Sequence, residues 1–491
     1  MSPLLDLAAG RLGGVALACS DEFFAPKERL LDQAAPVAVP GRYTDRGKWM
    51  DGWESRRRRG PGHDWCVVRL GVPGVVAAVV VDTTHFRGNH PEACSVDGLA
   101  GEQGATAEGL TGPAADWVEL LGRTPLEGDR EQRLPVDPPR LVSHVRLNIH
   151  PDGGVARLRV LGEPLPDLRG LAGPDGRLDL AATASGGTVV ACSDMAFAAA
   201  GNLLLPGDAV DMGEGWETRR RRGPGHDWAV VRLAAEATVD RVEVDTTHYK
   251  GNHPESCQLQ ACRAPAAGPG EVPEGGWREL VPRSPLGPHA RHALAAAPGE
   301  PATHVRLLIH PDGGVSRLRV WGRVTAAGFD CAGLRRLNAL PAGRAAAELL
   351  ACCGSRTWAA GVAAVRPFAD PAALAATAAS VWERLGPDDW QEAFAAHPRI
   401  GERSASPWST REQAGVGGAA AEVLAELADG NREYERRFGR VFLVRAAGRS
   451  AAALLANLRE RLGNDPDTEL RVAAAEQAEI TRLRLQRLFR P

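Results

Sequence analysis

The run GWESRRRRGPGHDWCVVRL at Gly52 returns almost unchanged as GWETRRRRGPGHDWAVVRL at Gly215. The repetition extends on both sides. VDTTHFRGNHPEAC from Val81 returns as VDTTHYKGNHPESC from Val244, at the same offset of 163 residues. HVRLNIHPDGGVARLRVLG from His144 returns as HVRLLIHPDGGVSRLRVWG from His304, at an offset of 160, and ACSD at Ala18 returns at Ala191, at an offset of 173. The three-residue change falls in a Gly/Ala/Pro-rich stretch, where a loop shortens at little entropic cost. A period of this length belongs to a duplicated domain, not to a solenoid.

Each copy reads as β. DWCVVRL, VVAAVVVDTT, HVRLNIH and VARLRVLG are short Val/Ile/Leu-rich runs with partial alternation, punctuated by GPG, GNHP and PDGG turns. Such strands without long helical patterns between them predict an antiparallel β-sandwich, a jelly roll. EPLPDLRGLAGPDGRLDLAATASGG reads as the connector between the copies. After about Gly328 the composition turns to Ala, Leu, Arg and Glu, with apolar residues at helical spacing in AAEVLAELADGNREYERRF and ELRVAAAEQAEITRLRLQRLF. The expected fold class is therefore multidomain: β-sandwich repeats over 1–165 and 185–325, then an all-α helical bundle over 332–491. A chain of 491 residues accommodates three domains at about 150 residues each.

Bulk charge excludes some partners. The formal net charge is −3, so no global field calls for nucleic acid or an anionic membrane surface. Basic charge is almost all arginine, the only lysines being Lys27, Lys48 and Lys250. The longest apolar run, VPGVVAAVVV, is too short to cross a bilayer, and the N-terminal segment lacks the pattern of a secretory signal. Nine cysteines without a CxxC pair read as reduced thiols, and a cytoplasmic location is expected.

Ten of the thirteen histidines fall in pairs across the duplication: His63/His226, His85/His248, His90/His253, His144/His304 and His150/His310. His289 and His292 fall in a variable loop and carry no signal, and His397 stands alone in the helical part. Duplication copies core residues along with sites, so any one such pair reads as structural before chemical. RRRRGPGHDW and DTTHFRGNHPE, however, each combine cations, acid, imidazole and turn glycines. Arginine forks hold carboxylates, while acids and imidazoles move protons, so these loops suit a small anion. No metal site is assigned, since the spacing of the HExxH type is missing, although paired His and acids leave a divalent ion open. The arginine run alone also fits an edge strand with alternate residues in solvent.

SDEFFAP, GKWMDGWESRRRR, GHDW, DTTHFRGNHPE and VRLNIHPDGG together resemble the allantoicase family, over roughly residues 1–325 and with the duplication included. The resemblance implies tandem jelly-roll (galactose-binding-like) domains that hydrolyse allantoate to (S)-ureidoglycolate and urea. Within these motifs the candidate residues are His63, Asp64, Asp82, His85, Arg87, Asn89 and Glu92, with His226, Asp227, Asp245, His248, Asn252 and Glu255 in the second copy. The copies differ where SDEFFAP becomes SDMAFAA and KWMDGWE becomes DMGEGWE, so Glu22 and Trp49 have no like partner. An alternative is a tandem binding module for a small anionic or sugar ligand, against which stands an aromatic content of 5%.

In the helical part, AFAAHPRIGE, SPWSTREQAGV, FGRVFLVRAAGRS, RLGNDPDTEL and EQAEITRLRLQRL resemble the decarboxylase of 2-oxo-4-hydroxy-4-carboxy-5-ureidoimidazoline (OHCU), over roughly residues 332–491. This resemblance implies a cofactor-free lyase that forms (S)-allantoin and CO2. His397 and Glu412 match its catalytic pair, Arg484 its substrate anchor, and Pro398, Ser409, Gln413 and Phe442 its lining. Arg440 departs from the family's usual apolar residue. The implied partners are small-molecule substrates and further copies of the chain in a homo-oligomer.

Overall fold

The computed structural model describes residues 4–268, 270–399, 421–446 and 449–491. The chain divides into two compact units, Met1–Pro341 and Ala342–Pro491.

The first unit holds both repeats. The principal strands of the first are β1 (Val15–Cys19), β2 (Asp64–Asp82), β3 (Ala93–Leu99), β4 (Val118–Pro125), β5 (Glu131–His150) and β6 (Arg157–Pro164). All pair antiparallel, in the order β6-β2-β5-β3-β4, with β1 on β2 and the short strand Leu5–Asp6 outside β6. DWCVVRL and VVAAVVVD, expected as separate strands, form one continuous 19-residue strand, β2. It bends at GVPG, where its register with β5 shifts between Arg69 and Gly74. Pro73 has no N–H to offer a ladder, and an irregular pairing absorbs it. Before the bend β2 lies between β1 and β5; after it, between β6 and β5. One bent strand thus serves both layers of the sandwich.

The second repeat repeats the plan with β7 (Thr188–Cys192), β8 (Asp227–Asp245), β9 (Ser256–Cys262), β10 (Arg278–Pro285), β11 (Arg291–Ala295), β12 (Ala302–His310) and β13 (Arg317–Val324), in the order β13-β8-β12-β9-β10. Its bend comes between Arg232 and Ala237, in a stretch with neither Gly nor Pro. The bend is therefore imposed by the fold and eased, not caused, by local residues. Leu178–Asp179 pairs with β13 as Leu5–Asp6 pairs with β6, so the second sheet begins inside the segment that reads as a connector.

Each repeat closes on its own apolar core. Trp53 and Trp216 are fully buried in them, and their indole N–H groups donate to the carbonyls of Asp21 and Asp194, each at 2.8 Å. Truncating either ring to Ala is expected to cost about 3–5 kcal/mol. Helix α1 (Ala326–Ala339) starts at Thr325, whose hydroxyl accepts the Gly328 N–H at 2.9 Å, and sets Phe329 and Ala332 on the core of the second repeat.

The second unit is helical: α2 (Ala342–Cys353), α3 (Arg356–Ala364), α4 (Pro371–Glu383), α5 (Pro387–Ala395), α6 (Ala421–Phe438), α7 (Ala451–Arg461) and α8 (Pro466–Leu485). Ser355, Asp370, Ser450 and Asp465 cap α3, α4, α7 and α8, and proline opens α4, α5 and α8. Trp358 and Trp382 are buried, with N–H groups on the Ala378 and Ala474 carbonyls. The Arg461–Glu469 pair, 2.5 Å apart and buried, is joined by the Tyr434 hydroxyl. Removing one partner of such a pair costs about 3–5 kcal/mol. Arg440, the departure from the helical family's pattern, is buried beside Phe438 and reaches the Pro466 carbonyl at 3.5 Å.

Candidate active sites

The loop after β2 is shaped by its own polar residues. Asp82 Oδ1 accepts the Thr84 N–H at 2.8 Å, and the Thr83 hydroxyl donates to the Glu127 carbonyl at 2.6 Å. His85 follows with φ of +71°, a conformation a β-carbon disfavours, and it is held there at two points. Its N–H donates to Asp129 Oδ1 at 2.8 Å, and its Nε2–H donates to the Pro36 carbonyl at 3.2 Å. Phe86 then plunges into the core under Gly154, where a β-carbon would lie 2.0 Å from its ring. This turn lifts Arg87, Gly88 and Asn89 to the surface.

A cleft of about 630 Å³ opens over the loop. His85, Arg87, Gly88 and Asn89 form one side; Glu54 and Lys48–Asp51 form the other, with Phe24 and Val37–Pro40 at the wall. Asn89 donates to Glu54 Oε1 at 2.7 Å. Burial raises the Glu54 carboxyl above the ordinary carboxylate range, opposed by the Asn89 amide and the Lys48 charge. Arg87 is largely exposed and gives its Nε–H to Asp129 Oδ2 at 3.0 Å. The His85 N–H, with Arg87, holds the Asp129 carboxyl below its usual range. The guanidinium groups of Arg29 and Arg42 lie 5.1 and 4.3 Å from the centre of the Trp49 ring. The cleft thus brings a raised carboxyl, an amide, a histidine and two cations to one small volume. That combination suits the binding of a small anion and proton exchange with it.

Glu54 is the residue that sequence reasoning passed over. GWES and GWET keep this acid in both copies, next to the core tryptophan, but the arginine run beside it drew the attention. In the second repeat Glu217 takes the Asn252 amide at 2.6 Å, and His248, with φ of +74°, donates to the Ala209 carbonyl at 2.8 Å. Asp245 caps its turn through the Thr247 N–H at 2.8 Å and adds Arg291 at 3.3 Å. His289, read from sequence as uninformative, sits beneath His248 in the place of Asp129 and accepts its N–H at 2.8 Å.

The remaining candidates do not line the cleft. Asp64 is buried on Arg58 (2.7 Å) and the Ser20 hydroxyl (2.9 Å), and Asp227 is held the same way by Arg221 and Ser193. The arginine run is an irregular loop rather than an edge strand. Its first, second and fourth positions are exposed in both copies, while its third, Arg58 or Arg221, clips Asp64 or Asp227 and gives its N–H to Asp152 or Asp312 at 2.7 Å. His63 faces His150 at 4.7 Å and His226 faces His310 at 4.9 Å. Burial, then the neighbouring imidazole, pulls His150 down; for His310 burial leads, then Arg283. Glu92 and Glu255 are exposed. Among the described residues no group of three His, Cys, Asp or Glu is placed to hold a metal ion.

In the helical unit His397 follows α5, where Ala396 ends the helix and Pro398 forbids another turn. Burial first, then the Arg484 charge, pulls its imidazole down to about 3, against a hydrogen bond with Gln477. Arg484 and Gln477 are both buried on α8, and Gln477 also donates to the Cys353 carbonyl at 3.2 Å and the Thr481 hydroxyl at 3.1 Å. The imidazole is therefore neutral at working pH and sits beside a fixed cation. Phe442 is buried against Tyr434, ring centroids 5.2 Å apart, under the Arg461 guanidinium. Pro398 is half-buried. Ser409, Glu412 and Gln413 lie outside the described residues.

Fold and site together define a two-part enzyme: a duplicated β-sandwich with an acid-and-cation cleft, followed by a helical unit with a half-buried neutral imidazole. Comparison with known proteins places both parts. The allantoicase-repeat family model matches residues 5–165 and again 178–325, and the OHCU decarboxylase model matches 338–486. A probable allantoicase of Pseudomonas aeruginosa (strain LESB58) is 49% identical over 324 residues, 65% of this chain and 96% of that protein. Probable allantoicase 2 of Burkholderia pseudomallei (strain K96243) is 48% identical over 325 residues, 65% of this chain and 95% of that protein. The crystal structure of allantoicase from Saccharomyces cerevisiae is 33% identical, covers 65% of this chain and 93% of its own, and superimposes with a TM-score of 0.54. A crystal structure of OHCU decarboxylase in the presence of (S)-allantoin is 37% identical and covers 29% of this chain and 96% of its own, with a TM-score of 0.27. The chain belongs to the allantoicase family and carries an OHCU decarboxylase domain behind its repeats.

Proposed function

We propose that the cleft of the first repeat hydrolyses allantoate to (S)-ureidoglycolate and urea, and that the His397 site decarboxylates OHCU to (S)-allantoin. The observation that carries the first assignment is the raised Glu54 carboxyl, hydrogen-bonded to Asn89 in one cleft with Lys48 and Arg87. Allantoate is a carboxylate with two ureido arms on one carbon. Arg87 and Lys48 receive the carboxylate, and Asn89 fixes the acid. Protonated Glu54 gives its proton to the departing urea nitrogen as the C–N bond breaks. The resulting carboxylate takes a proton from the water that replaces urea, which restores the acid and closes the proton balance. His85, locked by Pro36 and Asp129, shapes the loop that presents Arg87 and Asn89.

In the decarboxylase the electron pair left by CO2 passes into the conjugated ring of the substrate, and a proton delivered to one face sets the configuration. Arg484 anchors oxygen atoms of the substrate, and neutral His397 handles the proton with Glu412. Ser409 and Gln413, with Pro398 and Phe442, complete the proposed lining. Neither step calls for an organic cofactor. The two reactions are not consecutive, because the ring of allantoin must open between them. The substrates are small molecules, and the binding-module alternative is not favoured by the family matches. Among the described residues no helix is long and apolar enough to cross a membrane. A cytoplasmic homo-oligomer without nucleic-acid partners is part of the proposal.

Urea release from allantoate by the purified full chain, with and without EDTA, tests the hydrolase. Release in both conditions supports acid–base chemistry by Glu54. Loss on chelation, restored by a divalent ion, would overturn the metal-free step, and no release at all would sink the assignment. For the decarboxylase, His397→Ala is expected to abolish the enantiomeric excess of allantoin formed from OHCU, and an unchanged excess would remove His397 from the site.

A further inference from the structure

Asp129 stands where the second copy has His289. Both are left-handed, with φ of +55° and +48°. Both give their N–H to the carbonyl of the buried aromatic, Phe86 or Tyr249, at 3.1 Å. Both accept the N–H of the loop histidine, His85 or His248, at 2.8 Å. The turn therefore needs one acceptor at this position, and either side chain supplies it. Aspartate supplies a second: Oδ2 takes the Arg87 Nε–H at 3.0 Å. An imidazole that accepts through Nδ1 carries its proton on Nε2 and has no second acceptor to offer Lys250, the counterpart of Arg87.

The consequence is geometric. The Arg87 side chain is 81% exposed, and an arginine in that setting loses much rotamer freedom when it binds. Anchoring it through Nε leaves both Nη groups for the cleft, the edge that grips a carboxylate bidentately. We propose that Asp129 is a positioning residue that presets Arg87 for the allantoate carboxylate, and that its exchange for His289, with Arg87 for Lys250, withdraws this clamp from the second copy. The proposal rests on the first-repeat cleft being the hydrolytic site.

Steady-state kinetics of urea release by the full chain test it, with Arg87→Ala, Asp129→Asn and the double variant. Asn keeps the acceptor for His85 and drops the charge that holds Arg87. Arg87→Ala is expected to raise KM for allantoate about tenfold and Asp129→Asn about fivefold, with kcat little changed, because uniform binding is what is lost. The double variant should be no worse than Arg87→Ala alone. Asp129→His, which installs the residue the second copy tolerates, should behave as Asp129→Asn and guards against a folding artefact. If Asp129→Asn multiplies the defect of Arg87→Ala, or lowers kcat and Tm together, its role is structural and the proposal falls. If Arg87→Ala raises KM but Asp129→Asn does not, Arg87 grips the substrate without help from Asp129 and the proposal falls. If Arg87→Ala leaves KM unchanged while Glu54→Gln is inactive, the clamp itself is wrong and the proposal goes with it.

Discussion

Glu54–Asn89 in the first repeat and Glu217–Asn252 in the second make the same bond, at 2.7 and 2.6 Å, beside the same left-handed histidine. Their surroundings differ. Ala25 bridges Glu54 across 29 positions of chain, whereas Ala198 bridges Glu217 across 19. The ten extra residues of the first copy belong to the segment that supplies Val37–Pro40, Lys48 and Trp49 to the cleft. The second copy has Asp211 for Lys48, Met212 for Trp49, Lys250 for Arg87 and His289 for Asp129. At that face Phe197 and Val210 are exposed, at 69% and 75%. An acid–amide pair is thus inherited with the turn that folds it; the first copy adds the wall and the two cations, Lys48 and Arg87, on which the proposed site rests.

The strongest way to break this comparison is to exchange the wall. Replacing residues 32–51 by residues 205–214 gives the first repeat the connection of the second. Loss of positioning on this scale is expected to lower kcat/KM for allantoate at least about a hundredfold, measured as urea release. Activity within a few fold of the parent would show that the wall is not part of the site.

The two copies should respond alike where only folding is at stake. Gly154→Ala drives a β-carbon into Phe86, and Gly314→Ala drives one into Tyr249, at 2.0 and 1.9 Å. Each is expected to cost about 1–3 kcal/mol by overpacking, read as a similar drop in Tm. Urea release per folded molecule should fall only for Gly154→Ala, because only that turn carries Arg87 and Asn89 into the cleft.

Much of this was legible in the sequence. The duplication announced two sandwiches, and HFRGNHPE located the loop that carries Arg87 and Asn89. The offsets of 173 and 163 already held the ten-residue excess, but length alone does not say that an insertion forms a wall. Glu54 was masked by its arginine neighbours. Asp129 and His289 share a position at the offset of 160, but they differ in chemistry, and only the structure shows that both accept the loop histidine's N–H. His63 and Asp64 were grouped with His85 as polar turn residues, yet they stand at the other end of β2, 19 residues long, where Arg58 and Ser20 hold Asp64. In the helical unit AFAAHP marked His397 and LRL marked Arg484, while Gln477, two turns earlier on the helix, needed the packing of α8 to be seen.

Smaller effects sharpen the picture by pH. If Glu54 acts in its protonated form, kcat/KM falls as pH rises through its raised pKa. Asn89 and Lys48 both hold that pKa down, so Asn89→Ala and Lys48→Met should move the alkaline limb to higher pH. Asn252→Ala should leave the profile unmoved, and a downward shift in Asn89→Ala would contradict the acid role.

Smallest is an effect on stability that both repeats share. Burial pulls His144 and His304 down to about 4, so both stay neutral in the folded chain at a pH where they charge when unfolded. Their contribution is fully present above about pH 6.5 and is lost as pH falls from there towards 4. At pH 5.5 each contributes a loss of about 1 kcal/mol. His144→Gln and His304→Gln should therefore each flatten the fall in Tm between pH 7 and 5 by a similar amount.

The most direct measurement is urea release from allantoate by full-length Glu54→Gln beside Glu217→Gln. The account predicts that Glu54→Gln loses at least about a hundredfold in kcat, the scale of a general acid, while Glu217→Gln stays within about threefold of the parent. Equal losses in the two variants, or a loss confined to Glu217→Gln, would contradict the assignment of the working site to the first repeat.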